Sequence, residues 1–171
     1  MRGTIEVNRF LTERGIRHEF YRLERPLRKI DEAAVLLGLE ARMVVRAELF
    51  AAGERFVLAL APTSTLPASD AIASATSTPR VRPLSAARTA AHSGFLPDWL
   101  PPVAHERPST ALIDETLVDA AVLYAPGGDP GVMLMITAGD LVRATAADVA
   151  ALSTPLGEPE EFPSARTTTL R

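Results

Sequence analysis

The chain has no cysteine and few aromatic residues. Without a thiol it can form no disulfide framework, no thiolate nucleophile and no cysteine-based zinc site. One Trp, two Tyr and six Phe make up the 5% of aromatic residues, fewer than the stacking platforms on which single-stranded nucleic-acid binders usually rely. Any hydrolysis by this chain must therefore proceed without a protein thiolate.

Long apolar runs and local cofactor motifs are also missing. No stretch approaches the roughly 18 apolar residues that cross a bilayer, and residues 1–6 lack the apolar segment of a signal peptide, so we expect a cytoplasmic protein. The phosphate-binding glycine-rich loop, the dinucleotide fingerprint and the serine-hydrolase elbow are absent from the sequence. Because His18, His92 and His105 do not have metal-ligand spacing, we expect no metal site.

The composition is that of a globular domain with an uneven distribution of charge. Of 171 residues, 47% are hydrophobic and 23% are charged, and the net charge is −3. Residues 1–46 carry +3, residues 47–97 carry +1 and residues 98–171 carry −7. Basic residues cluster between Arg14 and Lys29, with acidic residues among them. This cluster indicates either a solvated face of mixed charge or a patch that contacts the phosphates of RNA.

The spacing of apolar residues predicts short helices and β-hairpins. Helices are expected from Thr4 to Gly15, Asp31 to Gly38, 67 to 75 and Ser85 to Gly94, with helical turns at 141–142 and 146–152. The helix that begins at Asp31 has an apolar stripe of Ala34, Leu36 and Leu37. Strands are expected at 17–23, 43–50, 56–61, 81–84, 111–113, 120–125 and 132–136. Because the strands occur in hairpins and not in regular β-helix-β units, we expect an α+β fold.

The last residues have a different composition. From Ser153 onward the apolar pattern stops, and proline, glycine and acidic residues become frequent. We therefore expect one domain at residues 1–153 and a polar, disordered tail at residues 154–171.

Two segments carry candidate functional groups. The loop at 93–102 contains three prolines and the only tryptophan, so it cannot be regular helix or sheet. Asp114 and Glu115 are adjacent carboxylates at the end of a predicted strand, where at most one of them can address a given site. Asp114 is alternatively a structural acceptor that caps the turn starting at Glu115.

Read in order, the motifs resemble the YbaK/EbsC aminoacyl-tRNA deacylases, free-standing relatives of the editing domain of bacterial prolyl-tRNA synthetase. The resemblance covers about residues 4–152 and rests on the order of Asp31–Ala34 with Leu37-Gly38, Val44–Phe50, Val57–Pro62, Gly94–Val103, Ile113–Leu117 and Asp140-Leu141. It implies an α+β fold on a mixed, partly closed β-sheet with flanking helices. It also implies hydrolysis of the ester between a wrong amino acid, such as alanine or cysteine, and the terminal ribose of a tRNA, with no metal or cofactor.

The chain departs from the family pattern at two positions. A family lysine aligns with Arg46, which keeps the charge but replaces a compact ammonium with a planar guanidinium. The glycine of the family's Gly-x-x-Pro loop falls at Asp98 or Trp99; with Asp98 there, Pro101 is the proline. A carboxylate at this position can repel the phosphates of tRNA, pair with Arg46 or act as the base for water. Arg46 and Asp98 are the candidate catalytic residues.

The remaining candidate substrate-binding residues are Gly94, Phe95, Trp99, Pro101, Pro102 and Asp114. Trp99 can stack on the terminal adenine or fill a gap in the core. The two departures leave a second hypothesis open, a catalytically silent relative that binds tRNA, a synthetase or a small ligand. A direct pair between Arg46 and Asp98 would neutralise the cation and favour this silent module.

Overall fold

A computed structural model describes residues 1–25 and 27–155 of the chain. The helices in these ranges are α1 (Thr4–Glu13), α2 (Asp31–Leu37), α3 (Ser69–Thr76), α4 (Ala86–Ser93), α5 (Glu115–Val118) and α6 (Ala138–Thr145). The strands are β1 (Glu19–Arg22), β2 (Val45–Ala52), β3 (Arg55–Pro62), β4 (Thr65–Pro67), β5 (Val81–Pro83), β6 (Thr110–Asp114), β7 (Val122–Pro126), β8 (Val132–Thr137), β9 (Asp148–Ala150) and β10 (Ser153–Pro155). None of the helices in this part of the chain is long and apolar enough to cross a membrane.

The strands form three sheets. The largest has the order β5-β2-β3-β6-β9. In it β2 pairs with β5 and with β3 in antiparallel orientation, and β6 pairs with β3 and with β9 in parallel orientation. Strands β1, β8 and β7 form an antiparallel sheet, and β10 pairs with β4. A parallel bridge between Val44 and Tyr124 joins the two larger sheets, and no sheet within the described ranges closes into a barrel. The expected α+β fold with mixed sheets is confirmed.

The β2–β3 hairpin fixes the orientation of the residues near Arg46. Gly53 turns the chain at φ +63°, and the register places Arg46 opposite Ala61. Along β2, Val45 and Leu49 are buried in the main core, whereas Arg46 and Glu48 are only partly buried. Because side chains alternate between the faces of a strand, Arg46 and Glu48 point to the same face.

Trp99 belongs to a hydrophobic cluster that fixes α2 against the three-stranded sheet. The cluster consists of Ile30, Ala33, Ala34, Val44, Trp99 and Met133. The apolar stripe of α2 differs from the predicted one, since Ala33 and Ala34 are buried but Leu36 and Leu37 are 41% and 38% exposed. The C-terminal turn of α2 therefore leaves large apolar side chains at the surface.

The structure corrects the prediction for residues 146–152. Ala146 has a left-handed backbone that ends α6, and residues 148–150 form β9, parallel to β6, where we had expected a helical turn. Periodicity alone cannot show whether a short apolar run is a helix or a strand. Here the pairing with Leu112–Asp114 makes it a strand. Strand β10 includes Thr154 and Pro155, two residues of the predicted tail. The rest of that tail lies outside the described residues.

Candidate active site

Arg46 and Asp98 lie on the same cavity. The cavity has a volume of about 170 Å³, and the charged residues that line it are Lys29, Asp31, Arg46, Glu48 and Asp98. Pro97, Leu100 and Pro126 supply part of its apolar wall. We call this space the charged cavity. Three carboxylates and two cations line it, so its lining carries an excess of negative charge.

Arg46 is held at one side by an acidic neighbour. Its Nη2 donates to Asp31 Oδ1 at 2.8 Å, and its Nη1 lies 3.9 Å from Glu48 Oε1. The Arg46 side chain is only 15% exposed, and its buried Nε has no hydrogen-bond partner among the described residues. The side chain of Asp31 is 46% exposed, and ion pairs that reach solvent are weak. Asp31 therefore orients the guanidinium and only partly neutralises it.

Glu48 titrates abnormally in this surrounding. Burial raises the pKa of Glu48 above its ordinary value, Arg46 acts in the opposite direction, and the charge of Asp31 adds to the rise. The net effect is a raised pKa because removing the carboxylate from water penalises its ionised form more than Arg46 favours it. Glu48 consequently gains a proton more readily than an ordinary glutamate does.

Asp98 lines the cavity without pairing with Arg46. It lies in a single 3-10 turn, Pro97–Trp99, and is exposed. No ion pair found within residues 1–25 and 27–155 joins it to Arg46. The structure therefore brings the two candidate catalytic residues together around one space, without the direct pair that would favour a silent module.

The side chains of the other loop candidates are buried. Trp99 is 2% exposed, and its Nε1 donates to the carbonyl oxygen of Leu27 at 3.3 Å. Phe95 is fully buried in the main core, and Pro101 and Pro102 are buried as well. Of the two roles considered for Trp99, the structure supports the core-filling one, because a side chain with almost no exposed surface offers no face to an adenine.

Gly94 contacts the N-terminal segment. It ends α4 with φ +81°, and its carbonyl oxygen accepts a hydrogen bond from the Arg2 backbone at 2.9 Å. Arg2 Nη1 also donates to the carbonyl oxygen of Ala104 at 3.3 Å. A Cβ at Gly94 would lie 2.9 Å from Arg2 Cδ. Arg2 thus connects the start of the chain to Gly94, near the beginning of the loop at 93–102, and to Ala104, just after its end.

Asp114 has the hydrogen bonds of a structural cap. It is 2% exposed; its Oδ1 accepts from the backbone and hydroxyl of Thr116, and its Oδ2 accepts from Leu152 and Ser153. Burial by itself would raise the pKa of Asp114, but these hydrogen bonds outweigh it and hold the pKa below its ordinary value. The bonds support the capping alternative and account for the pairing of β10.

Sequence reasoning missed Asp31, Glu48 and Lys29 as lining residues of the charged cavity. Glu48 could have been found, because residues two apart on a strand share a face. Asp31 was recognised only as a helix start, and its contact with a residue 15 positions later depends on how α2 packs. Within the described ranges, no three side chains of His, Asp or Glu are grouped as metal ligands.

Solved structures share this fold over almost their whole length. The hypothetical protein APE2540 has a TM-score of 0.82 and 24% identity, with 87% of this chain and 99% of that chain covered. A protein solved as a candidate trans-editing enzyme for prolyl-tRNA synthetase has a TM-score of 0.81 and 26% identity, with 88% of this chain and 96% of that chain covered. The fold class is therefore the α+β class in which candidate editing proteins occur.

The family follows from the sequence match. The model of the aminoacyl-tRNA editing domain matches residues 24–144, which include both Arg46 and Asp98. The chain belongs to the aminoacyl-tRNA editing domain family, and the predicted resemblance to YbaK-like proteins is confirmed. A search of curated proteins finds no match.

Proposed function

We propose that this protein is a trans-editing hydrolase that removes a wrong amino acid, such as alanine or cysteine, from a tRNA(Pro)-type acceptor in the cytoplasm. The observation that carries this proposal is the charged cavity, which both Arg46 and Asp98 line in a chain of the editing family. The partner is the aminoacylated 3′ end of tRNA, which an aminoacyl-tRNA synthetase can supply.

The size of the charged cavity favours a small amino acid. Pockets for drug-sized ligands measure about 300–1,000 Å³, whereas this cavity measures about 170 Å³. A short side chain and the ester carbonyl fit such a volume better than an aromatic side chain does. Size therefore supports alanine and cysteine as the first substrates to test.

The charges of the cavity suit an aminoacyl ester. An aminoacyl ester carries an α-ammonium group, and Asp31, Glu48 and Asp98 outnumber Lys29 and Arg46 around the cavity. The excess carboxylate attracts the ammonium electrostatically. Arg46 lines the same cavity and donates a hydrogen bond to Asp31 through Nη2, so its Nη1 can meet the carbonyl end of the same group.

Arg46 and Asp98 have complementary roles in the proposed reaction. Ester hydrolysis needs a positioned water and fixed donors for the oxyanion that develops on the carbonyl. An arginine guanidinium stays protonated in proteins, so Arg46 can stabilise the oxyanion. Asp98 accepts a proton from the attacking water. The water oxygen bonds to the carbonyl carbon and the carbon–oxygen ester bond breaks. The departing ribose oxygen takes the proton that Asp98 accepted from the water, which restores the Asp98 carboxylate.

A panel of charged tRNA(Pro) species tests the proposal. We expect the purified protein to release alanine or cysteine faster than proline, and Arg46→Ala to slow the release. Arg82→Ala is the matched control, because Arg82 is exposed on the edge strand β5 and does not line the cavity. Absence of turnover across the whole panel would contradict the proposal.

A silent binding module is the second candidate function. The 2.8 Å ion pair between Arg46 and Asp31 favours it, because it takes up part of the arginine's charge. The double variant Arg46→Lys with Asp98→Gly brings in the residue types of the family. Hydrolysis by this variant and none by the natural protein would establish the silent module, whereas activity in the natural protein excludes it.

A further inference from the structure

A second and larger cavity lies between α2 and the three-stranded sheet. Its volume is about 540 Å³, within the range of pockets that hold small organic ligands. Its apolar walls are formed by Tyr21, Tyr124, Met133, Leu36, Leu37 and Leu39. We call it the tyrosine groove, since it contains both tyrosines of the chain.

The register of the sheet places both tyrosines on the same face. Tyr21 of β1 is opposite Met133, and Tyr124 of β7 is opposite Met135, two residues further along β8. Residues directly opposite each other, and residues two apart on one strand, share a face. Tyr21 is 44% exposed, so its ring is accessible to a ligand. The few aromatic residues of the chain thus include two gathered in one groove.

The rim of the tyrosine groove is basic. Arg22, Glu24 and Arg25 line it and are exposed. Neither arginine takes part in an ion pair found within the described residues. Aromatic surfaces bordered by free cations are the elements with which proteins bind single-stranded nucleic acid, because bases stack on the rings and phosphates meet the cations. An apolar partner would not use the two arginines.

The tyrosine groove and the charged cavity are neighbours. On α2, Asp31 lines the cavity and Leu36 lines the groove, about 7.5 Å apart along the axis at 1.5 Å per residue. On β7, Tyr124 lines the groove and Pro126 the cavity, about 7 Å apart along the strand. This separation is about the rise of two stacked nucleotides at 3.4 Å each.

We infer that the tyrosine groove binds the unpaired nucleotides at the 3′ end of the tRNA while the aminoacyl group occupies the charged cavity. A base stacks on Tyr21, and Arg22 and Arg25 contact the adjoining phosphates. This inference rests on the proposed function for the identity of the RNA. The groove itself rests on separate observations, namely its tyrosines, its basic rim and its separation from the charged cavity along α2 and β7.

RNA binding gives the first test. The probe is a fluorescein-labelled single-stranded RNA that ends in CCA, and its anisotropy is titrated with the full chain. We expect Tyr21→Ala to weaken binding about tenfold, the scale of one lost base–aromatic stack, and Tyr21→Phe to bind like the natural protein. The double variant Arg22→Ala with Arg25→Ala should bind more weakly and with a smaller salt dependence. Arg82→Ala with Arg88→Ala is the matched control, since both arginines are exposed elsewhere.

Kinetics separate this inference from the proposed function. We expect Tyr21→Ala to raise KM for alanyl-tRNA about tenfold while kcat stays the same, and hydrolysis of alanine ethyl ester, which has no nucleotide, to be unaffected. Tyr21-dependent RNA binding without any hydrolysis would support the groove and contradict the proposed function. Hydrolysis with RNA affinity unchanged in the Tyr21 and arginine variants would overturn the groove. Tyr21-dependent binding of an apolar dye in place of RNA would overturn it too.

Discussion

The charged cavity and the tyrosine groove share α2 and β7 but differ in chemistry and size. The cavity, at about 170 Å³, brings together five charged residues including Arg46. The groove, at about 540 Å³, is apolar with charge only at its rim. Buried and partly buried charges act strongly on charge that develops in a reaction, whereas apolar and aromatic area contributes mainly to binding. The cavity should therefore determine kcat, and the groove should determine affinity.

Arg46→Ala gives the largest expected effect and tests the role of the cavity. Removing one oxyanion donor typically lowers kcat by about 10² to 10³, and Arg46 is the cation of β2 at this site. We expect a loss of that size for alanyl-tRNA, with RNA affinity in the anisotropy titration unchanged. If affinity and kcat fall together, the division between the two regions is wrong.

Asp114→Ala tests a residue outside both regions. The substitution leaves buried donors of Thr116, Leu152 and Ser153 without their acceptor, at a cost of about 3 kcal/mol. We expect Tm to fall by about 6–12 °C, while kcat and RNA affinity at low temperature stay near those of the natural protein. If a folded Asp114→Ala variant showed a higher KM with unchanged kcat, Asp114 would belong to the substrate-binding residues.

Leu36→Glu gives a smaller effect and tests the role of the groove. Leu36 is 41% exposed in the groove, so the new carboxylate costs little stability but repels phosphates at short range. We expect RNA affinity to fall a few fold, with kcat unchanged. Val35→Glu is the control, because Val35 is the adjacent residue of α2, is 87% exposed and does not line the groove. Equal effects of the two substitutions would exclude a role specific to the groove.

The sequence predicts the elements of this fold better than it predicts the site. Caps and turns such as Ser85, Gly38 and Gly53 act locally, so the helices that begin at Asp31 and after Ser85 and the β2–β3 hairpin are predicted correctly. The helices predicted at 67–75 and 141–142 instead begin at Ser69 and Ala138. Residues 148–150 were misassigned because their strand exists only through pairing with β6. The spacing of Arg46 and Asp98 along the chain could not show that they share a cavity, since that depends on how the loop at 97–99 packs.

The charged cavity and the tyrosine groove also differ in how much of each the sequence predicts. Arg46 and Asp98 were found because they stand at positions where the resemblance places functional residues. The tyrosine groove was missed, because the low aromatic content argues against stacking as long as positions in space are unknown. Sheet register brings Tyr21 and Tyr124 together although 103 positions separate them in the chain. Composition counts aromatic residues but cannot show whether they are gathered.

Glu48→Gln gives the smallest expected effect and separates charge from shape within the cavity. Because burial raises the pKa of Glu48, its ionised form is less favourable in the folded chain than in the unfolded chain, so the glutamate lowers stability as pH rises through its folded pKa. We expect the glutamine variant to have a slightly higher Tm than the natural protein at pH 7, and this difference to vanish as pH falls below the ordinary glutamate pKa. Glu32→Gln, at an exposed position of α2, is the control and should show no such trend. A lower Tm for Glu48→Gln at pH 7 would mean that the attraction between Arg46 and the Glu48 carboxylate exceeds the cost of burying that carboxylate. The negative charge of Glu48 would then be engaged by Arg46 and would not be available to an α-ammonium group.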